Sequence, residues 1–205
     1  MKAEHLELLV EEPSMEIFLN AVLPRILAGR ATYSIHAYQG KPDLLQKLDV
    51  RLRGYARWLP DAYRVIVLVD RDADDCVGLK GRLERAAAQA GLSTRVTCCG
   101  APWRVATRLA IEELEAWFFG EWAAVKAAYP RVAGTVPHQQ AYRQPDAIAG
   151  GTWEALQRVL QQAAYFPSGL RKAELAGAVG GHFDPRRATS PSFKAFETAV
   201  LDAVA

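Results

Sequence analysis

Five apolar residues, Val65-Ile66-Val67-Leu68-Val69, four of them β-branched, run directly into Asp70-Arg71-Asp72. A run that is apolar on both faces reads as a buried central strand, covered by helices in a parallel sheet. In open α/β sheets, chemistry collects beyond the carboxyl ends of the strands. Asp70 and Asp72 belong to that rim, on one side of it if the strand continues through them. Two carboxylates held together repel unless one is protonated or a cation lies between them. No His or Cys lies within three residues of the pair, so the matching cation is a hard one, Mg²⁺ or Mn²⁺. Aspartate after a strand also turns the chain or caps the next helix. The pair therefore needs a partner from elsewhere in the sequence.

Leu6–Val10 is a first apolar strand, ending at Glu11 and Glu12. Pro13-Ser14 opens a helix with Ser14 as its N-cap, and Pro24 is expected to kink or end it. A second strand spans Tyr33–Tyr38. A helix from Asp43 to Leu59 has Leu44, Leu45, Leu48, Leu52, Tyr55 and Leu59 on one side and Lys47, Arg51, Arg53 and Arg57 on the other. Such a basic face is solvated or meets a phosphate backbone. After the Val65 strand, Asp74 or Asp75 caps a helix from Val77 to Ala90. Ser93–Cys98 is expected as a fourth strand and Trp103–Ile111 as a fifth. This β-α-β-α-β-α-β order calls for a parallel sheet flanked by helices, an α/β fold. We place that domain at residues 1–128 and a mostly helical extension packed on it at 129–205. The extension opens with a Pro- and Gly-containing loop over 129–151. Its helices run from Trp153 to Ala164, from Leu170 to Val179, and onward from a Ser190 cap with Pro191 in the first turn.

The net charge of +2 does not by itself announce a nucleic-acid binder. Three cysteines, Cys76, Cys98 and Cys99, suit neither a disulfide framework nor a zinc site. No secretory signal or membrane-spanning apolar run is evident, so a cytoplasmic protein without a membrane partner is expected. No P-loop is present, so nucleotide energy must come from another chain.

A glutamate after the first strand and an Asp-x-Asp after the third, here Glu11, Asp70 and Asp72, resemble the Toprim fold of topoisomerases, bacterial primases and several nucleases. The stretch Leu9–Leu19 is similar to the opening of Toprim nucleases of the overcoming-lysogenisation-defect group. Glu113-Leu114-Glu115-Ala116-Trp117 and Ser190-Pro191-Ser192-Phe193 match an uncharacterised stand-alone Toprim-like bacterial family found beside ABC-type ATPases in phage-defence loci. The chain departs from the opening pattern in two places. Glu12 stands where a glycine is usual, and Met15, with Glu16 adjacent, stands where an acid is frequent.

The resemblance implies a metal-dependent nuclease acting on DNA or RNA, tRNA among the latter, as the effector of an anti-phage system controlled by an ABC-type ATPase. Asp70 and Asp72 would hold Mg²⁺ or Mn²⁺, and Glu11 would act as ligand or general base. Glu113 and Glu115 can complete a second ion site or simply favour a helix start. Arg171 or Lys172 can steady the scissile phosphate or lie on the surface. The competing readings are a non-catalytic interaction subunit of an ATPase complex and a metal-dependent phosphohydrolase. The second of these fits less well, because phosphatases with an Asp-x-Asp nucleophile usually carry the pair after the first strand.

Overall fold

Four strands, β1 (His5–Val10), β2 (Thr32–Ala37), β3 (Tyr63–Asp70) and β4 (Val105–Ala110), form one parallel sheet in the order β2-β1-β3-β4. The structure, a computed structural model, describes residues 2–98 and 102–205, so Cys99 lies outside the described residues. The chain moves from β1 outward to β2, then crosses back over β1 to β3 and on to β4. The sheet therefore reverses its winding between β1 and β3, the position at which open α/β sheets bind ligands.

The period of two in β1 and β3 divides the interior into two cores. Leu9, Val65, Val67 and Val69 face α2 (Lys41–Trp58) and α3 (Cys76–Gln89), meeting Leu44, Leu48, Leu52 and Leu83. Leu6, Leu8, Val10, Ile66 and Leu68 face the other way, into a larger core with Phe18, Trp117, Phe193 and Phe196. That second core is built by α1 (Pro13–Leu27), α4 (Leu114–Gly120), α5 (Trp122–Ala128), α6 (Thr152–Gln162), α7 (Lys172–His182) and α8 (Pro191–Ala203). Full burial of each large apolar side chain contributes about 1.5–3 kcal/mol.

The α/β architecture with a helical C-terminal part is thus present, with four strands among the described residues where five were expected. Ser93–Cys98 is not a strand: only Thr94 bridges to Val105. Thr94 and Thr97 bond to each other through hydroxyls and backbone N–H groups, at 3.1–3.2 Å, and this turns the chain away after one residue. Ser14 does not cap α1. Glu12 holds that position, Pro13 starts the helix, and the buried Ser14 hydroxyl donates to the Glu12 carboxylate at 2.5 Å. Nor does Pro24 end α1, which runs on to Leu27. Proline cannot donate to the Asn20 carbonyl one turn back. The Tyr33 hydroxyl donates there instead, at 3.4 Å.

The segment 129–205 shares the larger core with the sheet domain. Gly180 of α7 lets α1 come close, since a Cβ there would lie 3.1 Å from that of Ala21. The Arg25 guanidinium donates to the carbonyls of Gly180 and Phe183, at 2.8 and 2.6 Å, and binds the end of α7 to α1. Arg108 of β4 donates to the Ala195 carbonyl of α8 at 2.9 Å. Ser190 caps α8 through the Phe193 N–H at 3.2 Å, with Pro191 next, as its sequence indicates.

Candidate functional site

Because β1 and β3 are neighbours, Glu11 and Asp70 meet at the switch point. The Glu11 carboxylate accepts the backbone N–H of Asp70 at 3.1 Å. Asp70 continues the parity of Ile66 and Leu68, so its side chain enters the larger core, where it is 3% exposed. Its Oδ1 is buried without a hydrogen-bond partner. Burial, with the charges of Glu11 and Glu115 next in weight, holds the Asp70 carboxyl well above the usual range. Burial together with Asp72 pushes Glu11 up to about 7. Burial also pushes Glu115, on the first turn of α4, up to about 8. A buried carboxylate normally neutralises by taking a proton or by pairing with a cation.

Asp72 is not on the strand. β3 ends at Asp70, and Asp72 turns the chain in the left-handed region, with φ at 50°. Glu112, at the end of β4, has φ at 60°, and its carbonyl accepts the Asp72 N–H at 2.7 Å. Two non-glycine residues in this region at adjacent strand ends cost on the order of 1 kcal/mol each, a pattern concentrated at functional sites. Arg71 reaches sideways to the Glu112 carboxylate. Asp72 is half exposed and pairs with Lys41 at 2.7 Å, and Lys41 also holds Asp74 at 2.7 Å and the Arg71 carbonyl at 3.0 Å. Asp75, not Asp74, caps α3, through the Gly78 N–H at 2.6 Å.

Lys172, at the start of α7, lies 3.2 Å from Glu12 and 5.2 Å from the centre of the Trp153 ring. After the desolvation that opposes it, Glu115 and Glu12 hold its ammonium above the usual lysine range. The cation at the beginning of this helix, against the dipole preference, therefore faces the acidic cluster. Arg171 points elsewhere, to Glu174 at 2.9 Å, and is largely exposed. Glu113 and Glu115 divide as well. Glu113 accepts the Trp153 N–H at 2.7 Å and the Thr152 hydroxyl at 3.0 Å, closing the start of α6, whereas Glu115 points into the cluster. Met15 is buried in the larger core, with Glu16 partly exposed beside it.

Two groups escaped the sequence reading. Lys41 lay between the expected second strand and the expected helix; it begins α2, and because β2 neighbours β1 that helix starts on the same rim. Glu12 looked like a lost glycine, yet it bonds Ser14 and Lys172 and adds charge beside Asp70.

The two later motifs meet in space. The Trp117 indole N–H donates to the Ser192 hydroxyl at 2.9 Å, and its ring packs on Phe193 and Phe196, with centroids at 5.2 and 5.4 Å. A Cβ on Gly120 would come within 2.8 Å of the Ser190 nitrogen, so glycine permits this approach. The contact fixes α4, and with it Glu115, against α8.

All the donors on the rim are carboxylate oxygens, the set preferred by Mg²⁺ and Mn²⁺. The orphaned Oδ1 of Asp70 fits such an ion. Among the described residues no three His, Cys, Asp or Glu side chains form a ready-made cage, so binding requires the carboxylates to converge by side-chain rotation.

No curated protein and no solved structure matches the chain. The model of a family described as "Domain of unknown function (DUF4276)" matches residues 10–201, a span that contains every carboxylate and lysine of the rim. The chain belongs to the DUF4276 family.

Proposed function

We propose that this protein is a Toprim-like, Mg²⁺- or Mn²⁺-dependent nuclease that hydrolyses phosphodiester bonds of DNA or RNA. In this reading it is the effector of a bacterial anti-phage system under the control of an ABC-type ATPase. One observation carries the chemical part: Asp70 is buried at the sheet's switch point, one oxygen unpartnered, among Glu11, Glu12, Asp72 and Glu115. Concentrating negative charge in a buried place is unfavourable unless a cation is there to use it. The ATPase and the defence role rest on the family resemblance of the sequence motifs.

Asp70, Asp72 and Glu11 would hold the ion, with Glu115 behind them. A divalent ion bound there stabilises charge on the attacked phosphate and lowers the pKa of its water. Burial and Asp72 push Glu11 up to about 7 while no cation is bound, so taking up the ion would release its proton. Lys172 brings a cation to the edge of the cluster, where it can bind a phosphate oxygen.

One observation favours a second reading, a non-catalytic subunit of an ATPase complex. Lys41 and Lys172 already pair with Asp72 and Glu12 and partly neutralise the rim. Incubation with plasmid, single-stranded DNA and tRNA separates the two readings, using Mn²⁺ or EDTA and the Asp70→Ala chain in parallel, with and without the ATPase. Cleavage that needs both Mn²⁺ and Asp70 supports the nuclease. Cleavage that survives chelation and the substitution ends it, and so does inactivity in every arm.

A further inference from the structure

The helix layer over the smaller core, α2 and α3, has a charge balance unlike the rest of the chain. Across α2 and α3, eight lysines and arginines stand against three acids, whereas the whole chain has 25 against 23. On its outer side α2 presents Lys47, Arg51, Arg53 and Arg57 to solvent, with Val50 and Trp58 exposed among them. Residues 50, 54 and 58 recur every four positions, so Val50 and Trp58 share one stripe, with Gly54 between them.

Between this helix and the exit of β2 lies a groove of about 750 Å³, lined by His36, Tyr38, Lys47, Val50 and Arg51 among others. β2 is the edge of the sheet, so among the described residues no further strand closes that side. The Tyr38 ring packs against the core beneath α2 and also lines the groove, which makes it a fixed aromatic wall. The Lys47 ammonium is mostly exposed and shares a pair with Asp43 at 2.5 Å, an i,i+4 surface contact that is easily exchanged. The chain that forms the groove's β2 side runs on to the acidic rim. Two residues beyond Tyr38, Gly40 donates its N–H to the Glu11 carbonyl at 2.9 Å, and Lys41 pairs with Asp72.

We propose that this groove and the outer face of α2 bind a single nucleic-acid strand and lead it toward the carboxylates, a role that rests on the nuclease reading. Cations spaced along a helix take the phosphates, and every base offers a face for Tyr38 or Trp58, so recognition is tolerant of sequence. Unpaired bases are what an aromatic wall requires; a duplex hides them, so the strand is single.

The test separates binding from cleavage. Full-length protein in EDTA is titrated against a fluorescein-labelled oligothymidylate and against a duplex of equal length, following anisotropy at several salt concentrations. Wild type is expected to prefer the single strand. K47E/R51E should weaken it at least tenfold and reduce the slope of log K against log salt by about 1.4, the share of two phosphates on a single strand. Tyr38→Leu should weaken it about tenfold at unchanged slope. A melting curve verifies folding, and K47Q/R51Q replaces the charge reversal if that chain does not fold. Equal affinity of wild type and the double variant overturns the proposal, as does absence of binding or an equal preference for duplex. Binding by this groove in a chain that cleaves nothing would refute the nuclease reading alone. Cleavage that ignores Lys47, Arg51 and Tyr38 would refute the groove alone.

Discussion

The carboxylate of Glu11 accepts the backbone N–H of Asp70 at 3.1 Å, across the boundary where the sheet reverses its winding. The contact aligns the ends of β1 and β3 and leaves the Asp70 side chain free of that duty. Its Oδ1 stays without a partner in the interior. An arrangement that gives its hydrogen bond to the backbone and leaves a buried carboxylate oxygen open is costly by itself and suited to a cation.

Asp70→Asn keeps the shape and removes a buried carboxyl that must either take up a proton or face a cation. Without divalent ions the variant should be more stable than wild type by about 1–3 kcal/mol at neutral pH, the usual scale for a poorly compensated buried polar group. Chemical denaturation in EDTA measures this.

In metal-free buffer the stability of the wild type should fall as pH rises. Glu11 and Glu115 have folded values of about 7 and about 8 against an ordinary 4.5, so the folded chain holds their protons more tightly than the unfolded one. Their contribution is complete below 4.5 and is lost as pH climbs to about 7 for Glu11 and about 8 for Glu115. Melting curves across that range should show the decline, and Mn²⁺ should reduce it by taking the place of the protons.

Lys172→Met should leave the Mn²⁺-induced rise in melting temperature in place and lower the cleavage rate about 10²-fold, the scale for removing one donor to transferring charge. Equal cleavage would remove Lys172 from the reaction.

Glu113→Gln should cost about 0.5–2 kcal/mol of stability through the weakened start of α6, with Mn²⁺ binding unchanged. Denaturation and calorimetric titration of the same sample distinguish this from a ligand role.

The sheet and its rim were legible because they follow from period and order. The unbroken run Val65–Val69 marks a strand covered on both faces, and a glutamate ending the first strand beside an aspartate ending the third places two acids together once the two strands pair. Local chemistry at the ends of elements was less legible. Ser14 and Glu12 are both polar residues flanking a proline, and only the direction of the Glu12 side chain toward Lys172 separates cap from cluster. Pro24 breaks a helix unless the freed carbonyl is answered, and the answer, Tyr33, comes from another element. Thr94 and Thr97 have strand-like character but bond each other first. Glu113 and Glu115 are one turn-start apart and look alike in sequence; Trp153, forty residues later, takes the first and leaves the second to the site.

The most direct measurement is calorimetric titration of Mn²⁺ into metal-free wild type, Asp70→Asn and Glu11→Gln at pH 7.5. One shared site predicts saturable binding by the wild type, with affinity reduced at least tenfold in each variant and protons released on binding. Binding of equal strength in all three, or no binding by the wild type, would contradict an ion held jointly by Glu11 and Asp70.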